Sequence, residues 1–86
     1  MKQFAYNKGF LKQIAKLRPA ERVRCKQRLN EYQKNPDNPL LKRHSLKGQY
    51  AGCVSINCGG NLRIILLEGR DIVEVITIGT HSQLYR

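Results

Sequence analysis

A handful of side chains in this 86-residue sequence can do chemistry on an anion. Arg63 stands inside "NLRIILLEG", a run of Leu and Ile in which an unpaired guanidinium is costly to desolvate. His81 and Tyr85 follow in the closing "IGTHSQLYR", and "KRHSLKG" supplies Lys42, Arg43, His44 and Lys47. An Arg, a His and a Tyr suit attack by a ribose 2′-OH on its adjacent phosphate, a metal-free route to RNA cleavage. That reaction needs a group to take the hydroxyl proton, a cation to stabilise the dianionic phosphorane and an acid to protonate the leaving 5′-oxygen. His transfers protons near neutral pH, Arg grips phosphate bidentately, and an aromatic ring holds an unstacked base. Each residue also has a plain structural reading. Arg63 can snorkel or pair locally, His81 can sit on the surface, Tyr85 can fill a sheet edge, His44 can be a hydrogen-bonding hinge, and Lys42, Arg43 and Lys47 can be solvated charges.

The elements that must position these residues are legible from periodicity. Lys2 to Tyr6 reads as a short edge strand. Asn7 is an N-cap for a helix in which Phe10, Leu11, Ile14, Ala15 and Leu17 form one apolar stripe, with Lys8, Lys12 and Lys16 on another face. Pro19 suits the first turn of a second helix, where Cys25, Leu29 and Tyr32 repeat at i, i+4, i+7. Asn35, Pro36, Asp37 and Pro39 end it. A basic connector follows from residue 40, and then alternation typical of strands: Val54 and Ile56 to one side, Cys53, Ser55 and Asn57 to the other. "CGGN" supplies a turn, Leu62 to Leu67 the next strand, "EGRD" a second turn, and Ile72 to Ile78 a third strand. The expected fold is α+β, in the order β-α-α-β-β-β: a two-helix hairpin packed on one face of a twisted, mainly antiparallel sheet, forming a single domain over residues 1–86. An antiparallel last strand returns the C-terminal end beside the start of the Arg63 strand, so Arg63, His81 and Tyr85 are expected to meet at the sheet's open face or end.

Charge is the strongest compositional signal. The net charge is +10, and residues 1–50 hold all of it, with 13 Lys/Arg against three Asp/Glu, whereas residues 51–86 are balanced at three of each. A field of that size favours a polyanion or an acidic protein as partner. Cys25, Cys53 and Cys58 are odd in number and lack zinc spacing, and two His do not complete a metal site, so the expectation is reduced thiols, small packing residues and no metal or cofactor. No apolar run approaches a membrane span, and "MKQFAYNKGF" has no signal-peptide core, so the expected location is cytoplasmic, with no membrane partner. From the residues alone, the reading is a small basic α+β domain that binds nucleic acid or an acidic partner.

"LKRHSLKGQYAGCVSIN", followed by "NLRIILLEG" and "IGTHSQLYR", resembles the RelE/ParE superfamily of small bacterial toxins from type II toxin/antitoxin pairs, and most of all its YafQ-type and RelE-type branches. The resemblance covers most of the chain and is strongest from residue 40 onward. It implies the helix-hairpin-on-sheet fold and a ribosome-dependent endoribonuclease that cuts mRNA in the A site without a metal. It also implies a cognate antitoxin that wraps the toxin, with operator DNA reached only through the toxin/antitoxin complex. By the same resemblance Arg63 stabilises the transition state, His81 is the C-terminal acid or base, Tyr85 stacks or orients the base, His44 matches the connector His of the YafQ-like branch, and Lys47 lies near the scissile phosphate. Lys42, Arg43, Lys47 and Tyr85 form the expected RNA-binding set.

The sequence departs from the YafQ-like pattern at "VSINCGGN", which lacks the His and the acidic residue found there in that branch and leaves the proton acceptor open. Two alternatives stand beside the interferase. One is a ParE-like inhibitor of DNA gyrase, disfavoured by the C-terminal His/aromatic set. The other is a member whose catalysis has decayed while RNA or antitoxin binding persists.

Overall fold

The computed structural model of the chain describes residues 2–85. Strand β1 (Gln3–Tyr6) leads into helix α1 (Lys8–Ile14), started by Asn7, whose Oδ1 accepts from the Gly9 amide at 3.1 Å. Helix α2 (Pro19–Lys34) begins with Pro in its first turn and with Glu21 reaching back to the Arg18 amide at 3.0 Å. Four strands follow, β2 (His44–Ser45), β3 (Val54–Asn57), β4 (Leu62–Glu68) and β5 (Ile72–Thr80), and the chain closes with helix α3 (His81–Leu84). The sheet order is β1-β5-β4-β3-β2. Only the β1–β5 pair is parallel, so the mainly antiparallel α+β sheet expected from periodicity is the one found.

Helices α1 and α2 bury the core against one face. Phe10, Cys25, Leu29 and Tyr32 from the helices meet Val54, Ile56, Leu62, Ile64, Leu66, Val73, Val75 and Ile78 from the sheet. Fully burying an aliphatic side chain contributes about 1.5–3 kcal/mol, so these contacts outweigh the weak amphipathicity of α2, whose stripe is only Cys25, Leu29 and Tyr32 wide. The stripe expected on α1 is broken at two points. Leu11 is 51% exposed, and the helix ends at Ile14 before reaching Leu17, because Lys16 and Leu17 close tight turns onto Gln13 and Ile14 instead.

The connector is more ordered than its composition predicts. Pro39–Leu41 and Gly48–Tyr50 form single 3-10 turns, and between them His44 and Ser45 pair with Ser55 and Val54, making β2 an edge strand. A two-residue strand has too little sequence for alternation to register. On β3 the expected half-burial also fails. Val54, Ser55 and Ile56 are all buried: Val54 and Ile56 join the core, and Ser55 lies between His44 of β2 and Ile65 of β4.

The thiols differ from expectation too. Cys25 and Cys58 are joined as a disulfide across a separation of 33 residues, and Cys53 is the free cysteine. Sequence distance hid this pair: the α2 stripe faces the end of β3, a relation that only the packed fold creates.

At the far end of β4, Glu68 receives Arg43 through Nε at 2.9 Å and Nη2 at 2.7 Å, and the Tyr32 hydroxyl donates to the same carboxylate. The Arg43 hydrogen bonds hold the Glu68 carboxyl below its ordinary value of 4.5, against the opposing effect of burial. Burial first, then the Glu68 hydrogen bond, pushes the Tyr32 phenol upward, keeping it a donor at neutral pH. A depressed carboxylate stabilises the fold above its unfolded pKa, and that contribution disappears as pH falls through the lower folded value. In thermal melts, wild type is therefore expected to exceed Glu68→Gln by its largest margin above about pH 5, with the margin shrinking steadily below pH 4.5. Parallel curves from pH 3 to pH 7 would remove this ion pair from the acid response.

Candidate active site beneath the C-terminal helix

The face of the sheet turned away from α1 and α2 carries the residues first singled out. Register places Arg63 between Asn57 of β3 and Gly79 of β5, and one pair further along the same face Ser55, Ile65 and Thr77 line up, with His44 beside Ser55. His44, Leu46, Lys47, Arg63, His81 and Tyr85 together line a cleft of about 370 Å³. Five of the residues expected to do chemistry thus converge, from the connector, β4 and α3.

The first and last strands of this arrangement need help to bring His81 over Arg63. Thr80 caps α3, its Oγ1 accepting from the Gln83 amide at 3.2 Å while Gln83 Oε1 accepts from the Thr80 amide at 2.9 Å. "THSQ" carries this capping-box signature, so the helix was readable in a segment treated as a tail. Gly79 lets α3 fold back tightly. A Cβ there would lie 3.1 Å from Gln83 Oε1 and 3.3 Å from Leu84 Cδ2. Leu84 is buried, Gln49 Nε2 donates to its carbonyl at 3.0 Å, and the Tyr50 and Tyr85 rings meet edge to face at 6.2 Å. Gln49 and Tyr50 are positioning residues that spacing did not reveal, because their partners lie 35 residues onward in sequence. The one-turn separation of His81 and the C-cap residue Tyr85 brings their rings to a centroid distance of 4.7 Å, tilted at 54°.

Arg63 is half-buried, and one of its terminal nitrogens donates to the carbonyls of Gly60 at 3.4 Å and Leu62 at 3.2 Å. Among the described residues the ion pairs are those of Arg43, with Glu68 at 2.7 Å and Asp37 at 3.8 Å. Among the described residues Arg63 therefore presents a guanidinium without a carboxylate partner, held at the start of a rigid strand. The local ion pair is not seen among the described residues, and Arg63 is one of the residues that line the cleft.

His44 has a defined tautomer. Its Nδ1 lies 3.0 Å from the Lys42 carbonyl, which can only accept, so Nδ1 carries the proton and Nε2 of the neutral ring is left with a lone pair. Lys42 makes this contact by adopting φ 48°, the left-handed region that non-glycine residues seldom enter. Among the described residues no carboxylate lines the cleft. The proton acceptor left open by "VSINCGGN" accordingly has a candidate in His44.

Arg43 and Lys42 do not join the cleft. Arg43 turns to the other end of β4, where Glu68 and Asp37 neutralise it, and Lys42 contributes its backbone. Arg43 precedes β2 and is held at the Glu68 end of β4, whereas Lys47 follows β2 and lines the cleft, so a charge run in sequence divides between two surfaces. Among the described residues, no group of three or more His, Cys, Asp and Glu side chains is placed to hold a metal ion, and no helix is long and apolar enough to cross a membrane.

By sequence the chain matches no protein-family model and no curated protein. By structure it is similar to YafQ from E. coli, with 15% identity and a TM-score of 0.75 over the whole of both chains. It is also similar to a YoeB/ParE toxin from Agrobacterium tumefaciens, at 18% identity and a TM-score of 0.77, covering 92% of this chain and 98% of that one. A third likeness is to the E. coli DinJ–YafQ toxin–antitoxin complex, at 17% identity and a TM-score of 0.72, over 99% of this chain and 98% of that one. The architecture expected from the RelE/ParE resemblance is the architecture of the molecule.

Proposed function

We propose that this chain, which has the fold of the YafQ and YoeB/ParE toxins, is the toxin of a type II toxin/antitoxin pair and an endoribonuclease that cuts mRNA in the ribosomal A site. The observation that carries the reading is the cleft itself, which Arg63, with no carboxylate partner among the described residues, lines together with His44 and His81. In the reaction, His44 Nε2 takes the proton from the ribose 2′-OH as the oxygen attacks the adjacent phosphorus. Arg63, with Lys47, stabilises the charge that accumulates on the phosphorane oxygens. His81 delivers a proton to the departing 5′-oxygen, leaving a 2′,3′-cyclic phosphate and a free 5′-hydroxyl. Tyr85 stacks on the neighbouring base. Lys47 and Tyr85 remain in the RNA-contacting set, whereas Lys42 and Arg43 act on the fold.

The +10 charge supports two partners, ribosome-bound mRNA and a cognate antitoxin with an acidic segment. A structural neighbour is itself seen in a toxin–antitoxin complex, which supports the second. Translation sets the place of action in the cytoplasm. Operator DNA is reached through the antitoxin complex. Toeprinting of a translating ribosome tests the reading: new mRNA ends at A-site codons are expected when the protein is added. Intact mRNA together with loss of gyrase supercoiling would replace it with the gyrase reading, and intact mRNA with unaltered supercoiling would leave a binding protein whose catalysis has decayed.

A further inference from the structure

The hairpin that holds Arg63 is fastened to α2 at one point. Cys58 follows the last residue of β3, and its disulfide to Cys25 spans a Cα–Cα distance of 5.4 Å, with both residues fully buried. Arg24, next to Cys25, donates through Nε to the Cys58 carbonyl at 2.9 Å. The turn beyond is knit to this anchor. The Cys58 amide donates to the Leu62 carbonyl at 2.9 Å, the Leu62 amide to the Gly59 carbonyl at 3.1 Å, and the Gly59 amide to Asn57 Oδ1 at 2.6 Å. Gly59 and Gly60 have φ 89° and 56°, and a side chain at Gly59 would overlap that of Arg24. The two carbonyls that receive the Arg63 guanidinium, Gly60 and Leu62, belong to this same turn.

We propose that the Cys25–Cys58 pair is a redox-responsive staple: closed, it holds the β3–β4 turn and with it the Arg63 side chain against α2; opened, it frees the turn while the sheet persists. The α2 contact surface favours such a role. Its buried stripe has only Cys25, Leu29 and Tyr32, so near the helix's first half the covalent bond replaces the apolar contacts that a wider stripe would make. The co-reactant is a low-molecular-weight disulfide. One cysteine thiolate attacks it and expels a thiolate, forming a mixed disulfide; the second cysteine attacks that sulfur and expels the other half. Two protein thiols are oxidised, the reagent's S–S bond is reduced, and the two protons lost by the protein thiols end on the two reagent thiols released. A dithiol reverses the exchange. Because both sulfurs are buried, the exchange passes through opening of the Gly59–Gly60 turn, the flexible side of the anchor.

The full chain is equilibrated in glutathione disulfide or dithiothreitol, quenched in acid, alkylated after denaturation and mapped by mass. Expected are one alkylated thiol, Cys53, and a linked Cys25/Cys58 peptide pair in the first buffer, and three alkylated thiols in the second. The melting temperature is expected to be about 10 °C or more higher in the oxidised form, as for a cross-link closing a loop of this length. Hydrogen exchange at residues 59–63 is expected to rise on reduction by tenfold or more while β5 amides stay protected. In Cys58→Ser both redox differences vanish, and if that variant does not fold the wild-type comparison still decides. Three reactive thiols in both buffers, a linkage through Cys53, or a linked protein whose turn exchanges no slower than the reduced one would each overturn the proposal. None of these readouts involves RNA, so failure here is distinct from failure of the cleavage reading.

Discussion

Arg63→Ala is expected to cut mRNA at the A site about a hundredfold or more slowly than wild type, with a melting temperature near that of the parent. The separation of the two effects follows from how the residue is held. Its guanidinium donates only to turn carbonyls, which water can satisfy once the side chain is gone, and no buried carboxylate is stranded by its loss. In the proposed reaction, by contrast, Arg63 is the arginine that lines the cleft among the described residues, so its loss removes the guanidinium expected to meet the developing dianion. Arg63→Lys keeps the charge and loses the two-pronged donor, so partial recovery is expected. Toeprint intensities against time measure all three. An Arg63→Ala protein that is folded and cleaves at the parental rate would sink the site.

His44→Ala and His81→Ala are each expected to lower the cleavage rate by about 10²–10⁴-fold. They should differ in pH dependence. A general base works deprotonated, so His44→Ala loses the rise of rate with pH, whereas removal of the general acid in His81→Ala loses the fall at higher pH. The assignment of His44 as base rests on the Lys42 carbonyl, which keeps the proton on Nδ1 and exposes Nε2. The double variant is expected to fall short of the product of the single losses, since one proton transfer without the other leaves the reaction stalled. If the two pH profiles exchange limbs, the acid and base roles are reversed. If neither variant changes the rate, the chemistry is elsewhere.

Much of the fold was legible because its signals are local. Asn7 and Pro19 mark helix starts, Cys25, Leu29 and Tyr32 mark the buried side of α2, and two glycines mark the β3–β4 turn with the positive φ they were expected to supply. The site was legible in part. Arg63 stood out by polarity, and the antiparallel return of β5 pairs it with Gly79, two residues before His81. What failed to show depends on neighbours distant in sequence. The connector reads as a basic loop, yet pairing with β3 makes two of its residues a strand, and Arg43 is held by carboxylates at positions 37 and 68.

From the sequence alone came the α+β architecture, the concentration of positive charge in the first half and the identity of the side chains able to do phosphoryl chemistry, since composition and short-range periodicity carry those properties. Tertiary structure decided which of them lie together. Folding α3 over Gly79 put His81 and Tyr85 beside Arg63, the left-handed turn at Lys42 oriented His44, and packing of α2 on the sheet joined Cys25 to Cys58. Each of these depends on contacts between residues brought close by the sheet order rather than by the chain, and such contacts leave no pattern in a linear sequence.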